Sequence, residues 1–267
     1  MVAKVLTIAG SDSGGGAGIQ ADIKTFQEMD VYGMSAITAL TAQNTLGVQS
    51  VYPIPVDMVL EQLHSIEEDL RPDALKTGML FSGVIIEAVA NKIKEYGWGN
   101  VVVDPVMIAK GGAKLLQEDA IQAIRENLLP LATVTTPNIP EAEVLTDMTL
   151  DTLSRRKAAA KMLYKLGSSN VVIKGGHGEG DELVDLFYDG TRFHEWKSTR
   201  IDTKHTHGTG CTFAAAIAAG LAKGCKAEEA VHIAKQFIHK AIEHELGIGS
   251  GHGPTNHWAY RKAGVGV

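Results

Sequence analysis

The sequence contains little cysteine and no long apolar run, and both absences narrow what the protein can be. Two cysteines in 267 residues, Cys211 and Cys225, cannot build a disulfide framework, which favours the reducing environment of the cytoplasm. No apolar run approaches the roughly 20 residues that a membrane-spanning helix requires. The first residues enter a strand pattern directly, without the apolar region and cleavage site of a signal peptide. We therefore expect a cytoplasmic protein.

An excess of basic charge is also missing. The formal net charge is −6 and the isoelectric point is near 5.9, which argues against nucleic acid or an anionic membrane as the main partner. Hydrophobic residues make up 45% of the chain, so it can bury a full core. Because the net charge is negative, any phosphate group that the protein binds must be held by local dipoles and a few cations.

Short β-branched runs alternate with helical patterns along almost the whole chain. Strands are predicted at residues 5–9, 35–41, 74–76, 101–103, 133–135 and 171–174. Helices are predicted at residues 18–29, 57–70, 83–96, 118–129, 153–166, 212–223 and 227–245, and a β-hairpin at residues 182–188 and 192–196. This order predicts an α/β protein with a mostly parallel central sheet and helices on both faces. Because no linker or repeat interrupts the pattern, we expect one domain over residues 1–267.

In an open α/β sheet, ligands bind beyond the carboxyl ends of the strands. Glycine or polar groups follow every predicted strand, at residues 10–18, 42–45, 77–79, 104–107, 137–141 and 175–178. The first of these segments matches no dinucleotide fingerprint, because Ile19 occupies the third glycine position, and Lys24 follows Ile23 where a Walker A loop needs glycine. A nucleotide-binding oxidoreductase is therefore disfavoured. The loop either closes over a small ligand or is a plain tight turn.

A run of small residues before an alanine-rich helix carries the clearest functional signal. Gly208, Thr209, Gly210 and Cys211 lead directly into this helix. The glycines let the backbone approach a ligand, and the first N–H groups of the helix, with its dipole, attract an anion. We expect an anion hole here, with a thiol at its mouth whose pKa the helix N-terminus lowers. The alternative is a glycine turn before a buried helix.

Three acidic or amide residues are best placed to organise a hydrated magnesium ion. Asp104 follows the apolar strand at residues 101–103, and Asn138 and Glu141 share one turn after the next strand. Mg²⁺ prefers one or two carboxylates together with waters and substrate phosphates. Lys174, at another strand end, could neutralise a phosphate. The alternative for Asp104, Asn138 or Glu141 is a helix N-cap or a first-turn acid.

Five segments resemble the hydroxymethylpyrimidine/phosphomethylpyrimidine kinases of thiamin biosynthesis, which belong to the ribokinase-like superfamily. The segments are residues 9–22, 41–45, 76–79, 104–107 and 206–211, and the resemblance runs to the tail at residues 251–254 without a large gap. It implies a ribokinase-like fold, a homodimer and MgATP as phosphate donor. It also implies two successive phosphorylations of 4-amino-5-hydroxymethyl-2-methylpyrimidine.

The same resemblance assigns roles to individual residues. The family's pyrimidine pocket falls on Gly10, Asp22, Gln43, Met79 and Val106. Its anion hole falls on residues 208–211, and its Asn-x-x-Glu element falls on Asn138 and Glu141. The ATP site is expected at Lys174, Asn138, Glu141 and Asp104, with Mg²⁺ held through water by Asp104 and Glu141. One departure concerns Cys211, since ribokinase-like sugar kinases carry an aspartate base at this position. We expect the Cys211 thiol, with its lowered pKa, to take the alcohol proton in the first phosphorylation.

Gln43 bears on the choice of substrate. The aminopyrimidine places an amino donor beside a ring-nitrogen acceptor, and a glutamine amide offers the complementary acceptor and donor in one plane. Pyridoxal lacks that pair, so the amide would lose a partner there, at roughly 1–3 kcal/mol if buried. Two alternatives stay open: a pyridoxal or pyridoxine kinase, and a non-catalytic member of the fold that binds the pyrimidine without consuming ATP.

Overall fold

A large central sheet organises the molecule. The computed structural model describes residues 1–107, 118–176 and 182–264; His177 and Gly178, from one predicted strand end, lie outside them. The described strands are β1 (Lys4–Asp12), β2 (Tyr32–Asn44), β3 (Gly47–Pro53), β4 (Ala74–Thr77), β5 (Val101–Val103), β6 (Val134–Thr135), β7 (Val171–Ile173), β8 (Glu182–Tyr188) and β9 (Phe193–Thr199). They form one nine-stranded sheet in the order β3-β2-β1-β4-β5-β6-β7-β8-β9.

The middle of this sheet is parallel. Strands β2, β1, β4, β5, β6 and β7 run in one direction. The strand β3 pairs antiparallel with β2, and the hairpin β8–β9 joins antiparallel to β7. Parallel strands bring their carboxyl ends to one edge of the sheet, where ligands bind in open α/β folds. The predicted mostly parallel sheet is confirmed.

Helices flank the sheet. They are α1 (Gly18–Glu28), α2 (Val56–Leu70), α3 (Gly83–Tyr96), α4 (Glu118–Ala123), α5 (Ile139–Thr146), α6 (Leu153–Lys165), α7 (Thr209–Ala222), α8 (Ala227–Glu243) and α9 (Ala259–Lys262). Within the three described ranges, no helix is long and apolar enough to cross a membrane.

The strand β5 shows that each face of the sheet packs in a separate hydrophobic core. In β5, Val101 and Val103 pack in a core that includes residues of α2, α3 and α6. Val102 packs in the other core, with residues of α1, α7 and α8. Successive side chains of a strand point to opposite faces, so a strand buried on both faces reads as a continuous apolar run. Helices therefore cover both faces, as predicted.

The structure differs from the predicted elements in five places. The strand β3 and the helices α5 and α9 were not predicted, because β3 is largely exposed and the two helices are short, with eight and four residues. The helix predicted at residues 118–129 changes after α4 into a π-helical turn and then a 3₁₀ turn. Pro130 explains this change, since it lacks an N–H donor and its ring collides with the preceding turn. The helix α7 starts at Thr209, earlier than residue 212.

Candidate active site

A cavity of about 1350 Å³ opens at the carboxyl edge of the parallel strands. Residues at the ends of β1, β2 and β4 and at the starts of α5 and α7 line one part of it, and residues of β9 and α8 line the other. All but one of the predicted site residues lie on its wall. They are Gly10, Gln43, Met79, Asp104, Val106, Asn138, Glu141, Lys174, Gly208, Thr209, Gly210 and Cys211.

The first turn of α7, where the anion hole is predicted, lies on the cavity wall. Gly208 precedes the helix with a φ of 83°, and a Cβ at this position would lie 1.8 Å from the carbonyl oxygen of Gly16. Only glycine fits there. The Thr209 hydroxyl donates to the carbonyl of Thr206 at 2.8 Å and closes the turn. The N–H groups of Gly210 and Cys211 belong to the first helical turn, which has no internal acceptors for them, so they can donate to an anion.

A buried ion pair lies beside this turn. The Lys174 ammonium donates to Asp104 Oδ1 at 2.9 Å, and the Thr136 hydroxyl donates to the same oxygen at 3.1 Å. A Cβ at Gly210 would lie 3.3 Å from Lys174 Nζ and 3.5 Å from Asp104 Oδ2, so the backbone of α7 packs against the pair. Burial acts to lower the pKa of Lys174, but Asp104 and Glu141 outweigh burial and raise it. Lys174 is therefore a charged group next to the anion hole.

Asn138 and Glu141 form a capping box at the start of α5. The Glu141 N–H donates to Asn138 Oδ1 at 2.9 Å, and the Asn138 N–H donates to Glu141 Oε2 at 2.8 Å. The helix-cap alternative is therefore confirmed for these two residues, and the same cap holds both of them on the cavity wall. Burial raises the pKa of Glu141 to about 7; Lys174 opposes the rise and Asp104 adds to it.

Asp104 and Glu141 suit a metal ion whose remaining ligands are water molecules and phosphate oxygens. In the described part of the chain, no group of three or more His, Cys, Asp or Glu side chains could hold a metal ion. Asp104 and Glu141 both line the cavity, and Asp104 Oδ2 faces the first turn of α7. A positive charge near Glu141 would offset the burial that raises the pKa of this carboxyl. The two residues fit Mg²⁺ that keeps waters and phosphate oxygens.

Asp22 is the predicted site residue that lies behind the cavity wall. It is fully buried in α1, where its carboxylate accepts from Lys76 Nζ at 3.0 and 2.8 Å and from the Thr7 hydroxyl at 2.6 Å. The expected direct contact of Asp22 with the pocket is thus replaced by Lys76, which lines the cavity. Burial acts to lower the pKa of Lys76, but Asp22, Cys211 and Asp104 together outweigh burial and raise it. Lys76 is therefore charged.

Gln43 retains amide hydrogen-bonding capacity for a ligand. Its Oε1 lies 3.1 Å from the Thr41 hydroxyl, whose single proton is also directed at the Ser11 carbonyl at 2.9 Å. Its Nε2 lies 3.4 Å from His207 Nε2, which is 2.9 Å from the carboxylate of Asp12. Because a carboxylate accepts, His207 carries a proton on this nitrogen and cannot accept from Gln43. The amide can therefore offer both a donor and an acceptor.

Met79 and Gly10 form an apolar part of the same wall. A Cβ at Gly10 would lie 2.3 Å from the terminal methyl carbon of Met79, so the methionine packs directly on the glycine backbone. Val106 lines the cavity as well. These three residues give a flat ring an apolar contact surface beside the Gln43 amide.

The expectation of a lowered pKa at Cys211 is wrong. Burial raises the pKa of the thiol to about 11, because the thiolate would lose its hydration. The charge of Lys76 opposes the rise, and the carboxylates of Asp22 and Asp104 add to it. The thiol is therefore protonated at neutral pH, although it sits at a helix N-terminus.

The far part of the cavity was not predicted from the sequence. Its wall includes apolar side chains from the β8–β9 region and from α8, namely Leu183, Ile201, Ile238 and Ile242. No glycine or charge pattern marks these residues, since their periodicity is that of an ordinary packed helix or strand. An apolar slot that is continuous with an anion hole suits a ring attached to phosphates.

The sequence and the fold also match known proteins. A family model described as phosphomethylpyrimidine kinase matches residues 12–256. A hydroxymethylpyrimidine/phosphomethylpyrimidine kinase of Bacillus subtilis (strain 168) is 58% identical over 260 residues, which cover 97% of this chain and 96% of that protein.

Two solved structures are also similar. An ADP complex of a Bacillus subtilis pyridoxal kinase has a TM-score of 0.91 at 48% identity and covers 98% of this chain and 99% of its own. A phosphomethylpyrimidine kinase of Clostridium difficile 630 has a TM-score of 0.81 at 42% identity, with coverages of 90% and 99%. The resemblance seen in the sequence is confirmed, and so is the ribokinase-like fold. The chain belongs to the phosphomethylpyrimidine kinase family.

Proposed function

We propose that the protein transfers phosphoryl groups from MgATP to 4-amino-5-hydroxymethyl-2-methylpyrimidine and then to the monophosphate so formed, two steps of thiamin biosynthesis. One observation carries this proposal: the Gln43 amide and the first turn of α7 line the same cavity. The first can bind an aminopyrimidine ring, and the second can bind a phosphoryl group. The Bacillus subtilis relative, which is named for both activities, supports it.

The donor side of the cavity suits MgATP. ATP supplies the transferable phosphoryl group, and Mg²⁺ offsets the charge of its phosphates when bound. We propose that Asp104 and Glu141 hold the ion through water, and that Lys174 and Asn138 lie along the phosphates. The apolar slot between α8 and the β8–β9 region would take the adenine ring.

We propose that this chain accelerates the reaction mainly by positioning and by charge stabilisation, as is general for phosphoryl transfer. The hydroxymethyl oxygen bonds to the γ-phosphorus while the bond from that phosphorus to the departing ADP oxygen breaks, and the hydroxyl proton passes to solvent. The N–H groups of Gly210 and Cys211 donate to the phosphoryl oxygens, where preorganised donors act most strongly. The Lys174 ammonium adds positive charge at the same place.

The protonated thiol of Cys211 suits the second step. The acceptor is then a phosphate monoester, whose second pKa near 6 leaves it largely dianionic at pH 7. A neutral thiol adds no negative charge beside this acceptor, whereas an aspartate would repel it. We therefore propose that Cys211 acts through its backbone N–H and an uncharged side chain, and not as the base that removes a proton.

A pyridoxal kinase is the second candidate. The similarity to the Bacillus subtilis pyridoxal kinase structure favours it. The Gln43 amide favours the pyrimidine, because pyridoxal lacks the adjacent donor and acceptor that this amide can pair with. We propose that the pyrimidine is the better substrate.

We further propose one domain over residues 1–267 and a cytoplasmic homodimer. All nine described strands belong to one sheet, which supports a single domain. Both cysteines are free thiols, as suits a reducing compartment. Leu40 and Tyr52 oppose each other on the β2–β3 ladder and are 45% and 64% exposed. This apolar pair at the sheet edge supports a contact with a second copy.

The proposed activity predicts two products in order. Incubation of the purified protein with MgATP and the hydroxymethylpyrimidine should yield first one phosphorus resonance of a monophosphate and then the resonance pair of a diphosphate in phosphorus NMR. Removal of Mg²⁺ with EDTA should stop both steps. A reaction that ends at the monophosphate would contradict the second activity, and faster turnover of pyridoxine than of the pyrimidine would favour the alternative substrate.

Replacement of Gln43 tests the choice of substrate. Gln43→Met removes both amide hydrogen bonds and keeps the side-chain volume, so kcat/KM for the pyrimidine should fall about tenfold or more. The kcat/KM for pyridoxine should stay unchanged or rise. Gln27→Met, on an exposed position of α1, is the matched control and should behave as wild type. Equal losses on both substrates would show that Gln43 only supports its loop.

Charge at position 211 should matter most in the second step. Cys211→Asp and Cys211→Asn have nearly the same shape and differ in charge. We expect the aspartate variant to phosphorylate the purified monophosphate at least about tenfold more slowly than the asparagine variant, a difference of about 1.4 kcal/mol from like-charge repulsion. On the hydroxymethyl substrate the two variants should differ less. The same ratio on both substrates would refute the charge argument.

The proposed homodimer can be tested by measuring the mass of the protein in solution. Sedimentation equilibrium should give the wild-type protein twice the 28.4 kDa mass of one chain. A Leu40→Lys and Tyr52→Lys double variant should sediment as one chain, because the lysines would bring like charges together across the apolar contact. Val84→Lys, at an exposed apolar position of α3, is the control and should remain dimeric. A wild-type mass of one chain would disprove the homodimer.

A further inference from the structure

The carboxylate of Asp12 organises the glycine-rich loop at residues 13–17. Asp12 Oδ1 accepts the N–H of Gly14 at 2.8 Å, and Oδ2 accepts the N–H groups of Gly16 at 3.0 Å and Ala17 at 2.8 Å. Burial acts to raise the pKa of Asp12, but the hydrogen bonds from His207 and from the loop outweigh burial and lower it. The loop is thus wrapped around one buried, ionised carboxylate.

The same carboxylate connects the loop to the anion hole. His207 Nε2 lies 2.9 Å from Asp12 Oδ2, and its proton is donated to that oxygen. His207 directly precedes Gly208, where α7 is capped. One hydrogen bond therefore joins the end of β1 to the turn that offers N–H groups to a phosphoryl group.

Close packing fixes the separation of these two segments. A Cβ at Gly208 would lie 1.8 Å from Gly16 O, and a Cβ at Gly16 would lie 2.5 Å from His207 Cδ2. The backbones therefore cannot come closer together. The bond between Asp12 and His207 prevents them from moving apart, so the distance is constrained in both directions.

The backbone of His207 is held from its other side by the C-terminal tail. The His207 N–H donates to the carbonyl of Gly253 at 3.0 Å, and the Thr255 N–H donates to the carbonyl of His207 at 3.2 Å. These bonds form a short parallel bridge between His207 and Pro254. The backbone from which the imidazole extends is therefore held by residues that do not line the cavity.

Gln43, in the predicted pyrimidine pocket that we call the acceptor pocket, is bonded to the same glycine-rich loop. The Ser13 hydroxyl donates to the carbonyl of Gln43 at 2.8 Å, and the Gln43 N–H donates back to that hydroxyl at 2.8 Å. Ser13 belongs to the loop that Asp12 organises. A shift of the loop relative to α7 would therefore also shift the amide that faces the pyrimidine.

We propose that His207 is a positioning residue for phosphoryl transfer, because its bond to Asp12 sets the distance between the acceptor pocket and the anion hole. The inference rests on the proposed function and adds a determinant of its rate. Reactions that proceed by positioning lose about 100-fold for a misplacement on the order of 1 Å. His207 acts through Asp12 and the backbone, since its Nε2 proton is already donated to the carboxylate.

Two variants of equal bulk separate the hydrogen bond from simple packing. Glutamine and methionine have similar size, and only glutamine keeps an N–H donor. We expect His207→Met to lower kcat for the pyrimidine about 10- to 100-fold with saturating MgATP, and His207→Gln to retain most of the wild-type rate. The affinity for ADP, measured by calorimetry, should change by less than about threefold in both, because ADP lacks the γ-phosphoryl group that the first turn of α7 is proposed to hold.

A double variant tests whether the pair acts as one unit. Asp12→Asn should slow the reaction by a factor similar to that of His207→Met. The variant with both changes should be no slower than the slower single variant, since the shared bond is already broken. Losses that multiply in the double variant would overturn the inference.

The controls distinguish failure of the inference from failure of the proposed function. His64 is 55% exposed on α2, and His64→Met and His64→Gln should both keep the wild-type kcat. Equal kcat for His207→Met and His207→Gln, or a loss of thermal stability without a change in kcat, would overturn the inference. A wild-type protein that fails to phosphorylate the pyrimidine would instead contradict the proposed function.

Discussion

The contact between the Gly16 carbonyl and the backbone of Gly208 is the constraint on which the site depends. It requires glycine at position 208 and a positive φ, and that conformation determines where α7 begins. Once the helix begins there, its first N–H groups lie against the ion pair of Lys174 and Asp104. The loop that contains Gly16 is thereby held beside the same groups. The turn that we propose to bind phosphate and the glycine-rich loop at residues 13–17 are thus placed by one close approach of two backbones.

Two ion pairs fix the positions of two cations on the cavity wall. Lys76 is paired with Asp22 and Lys174 with Asp104, and both pairs are largely buried. A buried pair adds little net stability compared with apolar residues of the same size, but loss of one partner is strongly destabilising. The pairs therefore keep cations at defined positions rather than add to the stability of the fold. This arrangement explains how a chain with a net charge of −6 can present positive groups to phosphate.

Most strands of the sheet and the near part of the cavity wall could be predicted from the sequence, because alternating apolar runs and polar strand ends are local patterns. The sequence also contained the cap at Asn138 and Glu141, whose spacing is that of a capping box. The partner of Asp22 could have been suspected, since a lysine within the apolar strand β4 needs a counter-charge. The bond from His207 to Asp12 joins residues 195 positions apart, and no local pattern indicates it. The raised pKa of Cys211 depends on burial, which the helix N-terminus alone does not reveal.

The docking of the tail on His207 has a consequence for the order in which the protein matures. Residues 253–257 are synthesised after all nine described strands and after α8. A domain generally folds as one unit, and Tyr260, which follows this tail, is buried in the same core as residues of α7 and α8. The turn before α7 gains its backbone bonds from Gly253 and Thr255 only after these residues have been synthesised. This turn is thus completed late in the synthesis of the chain, together with the second core.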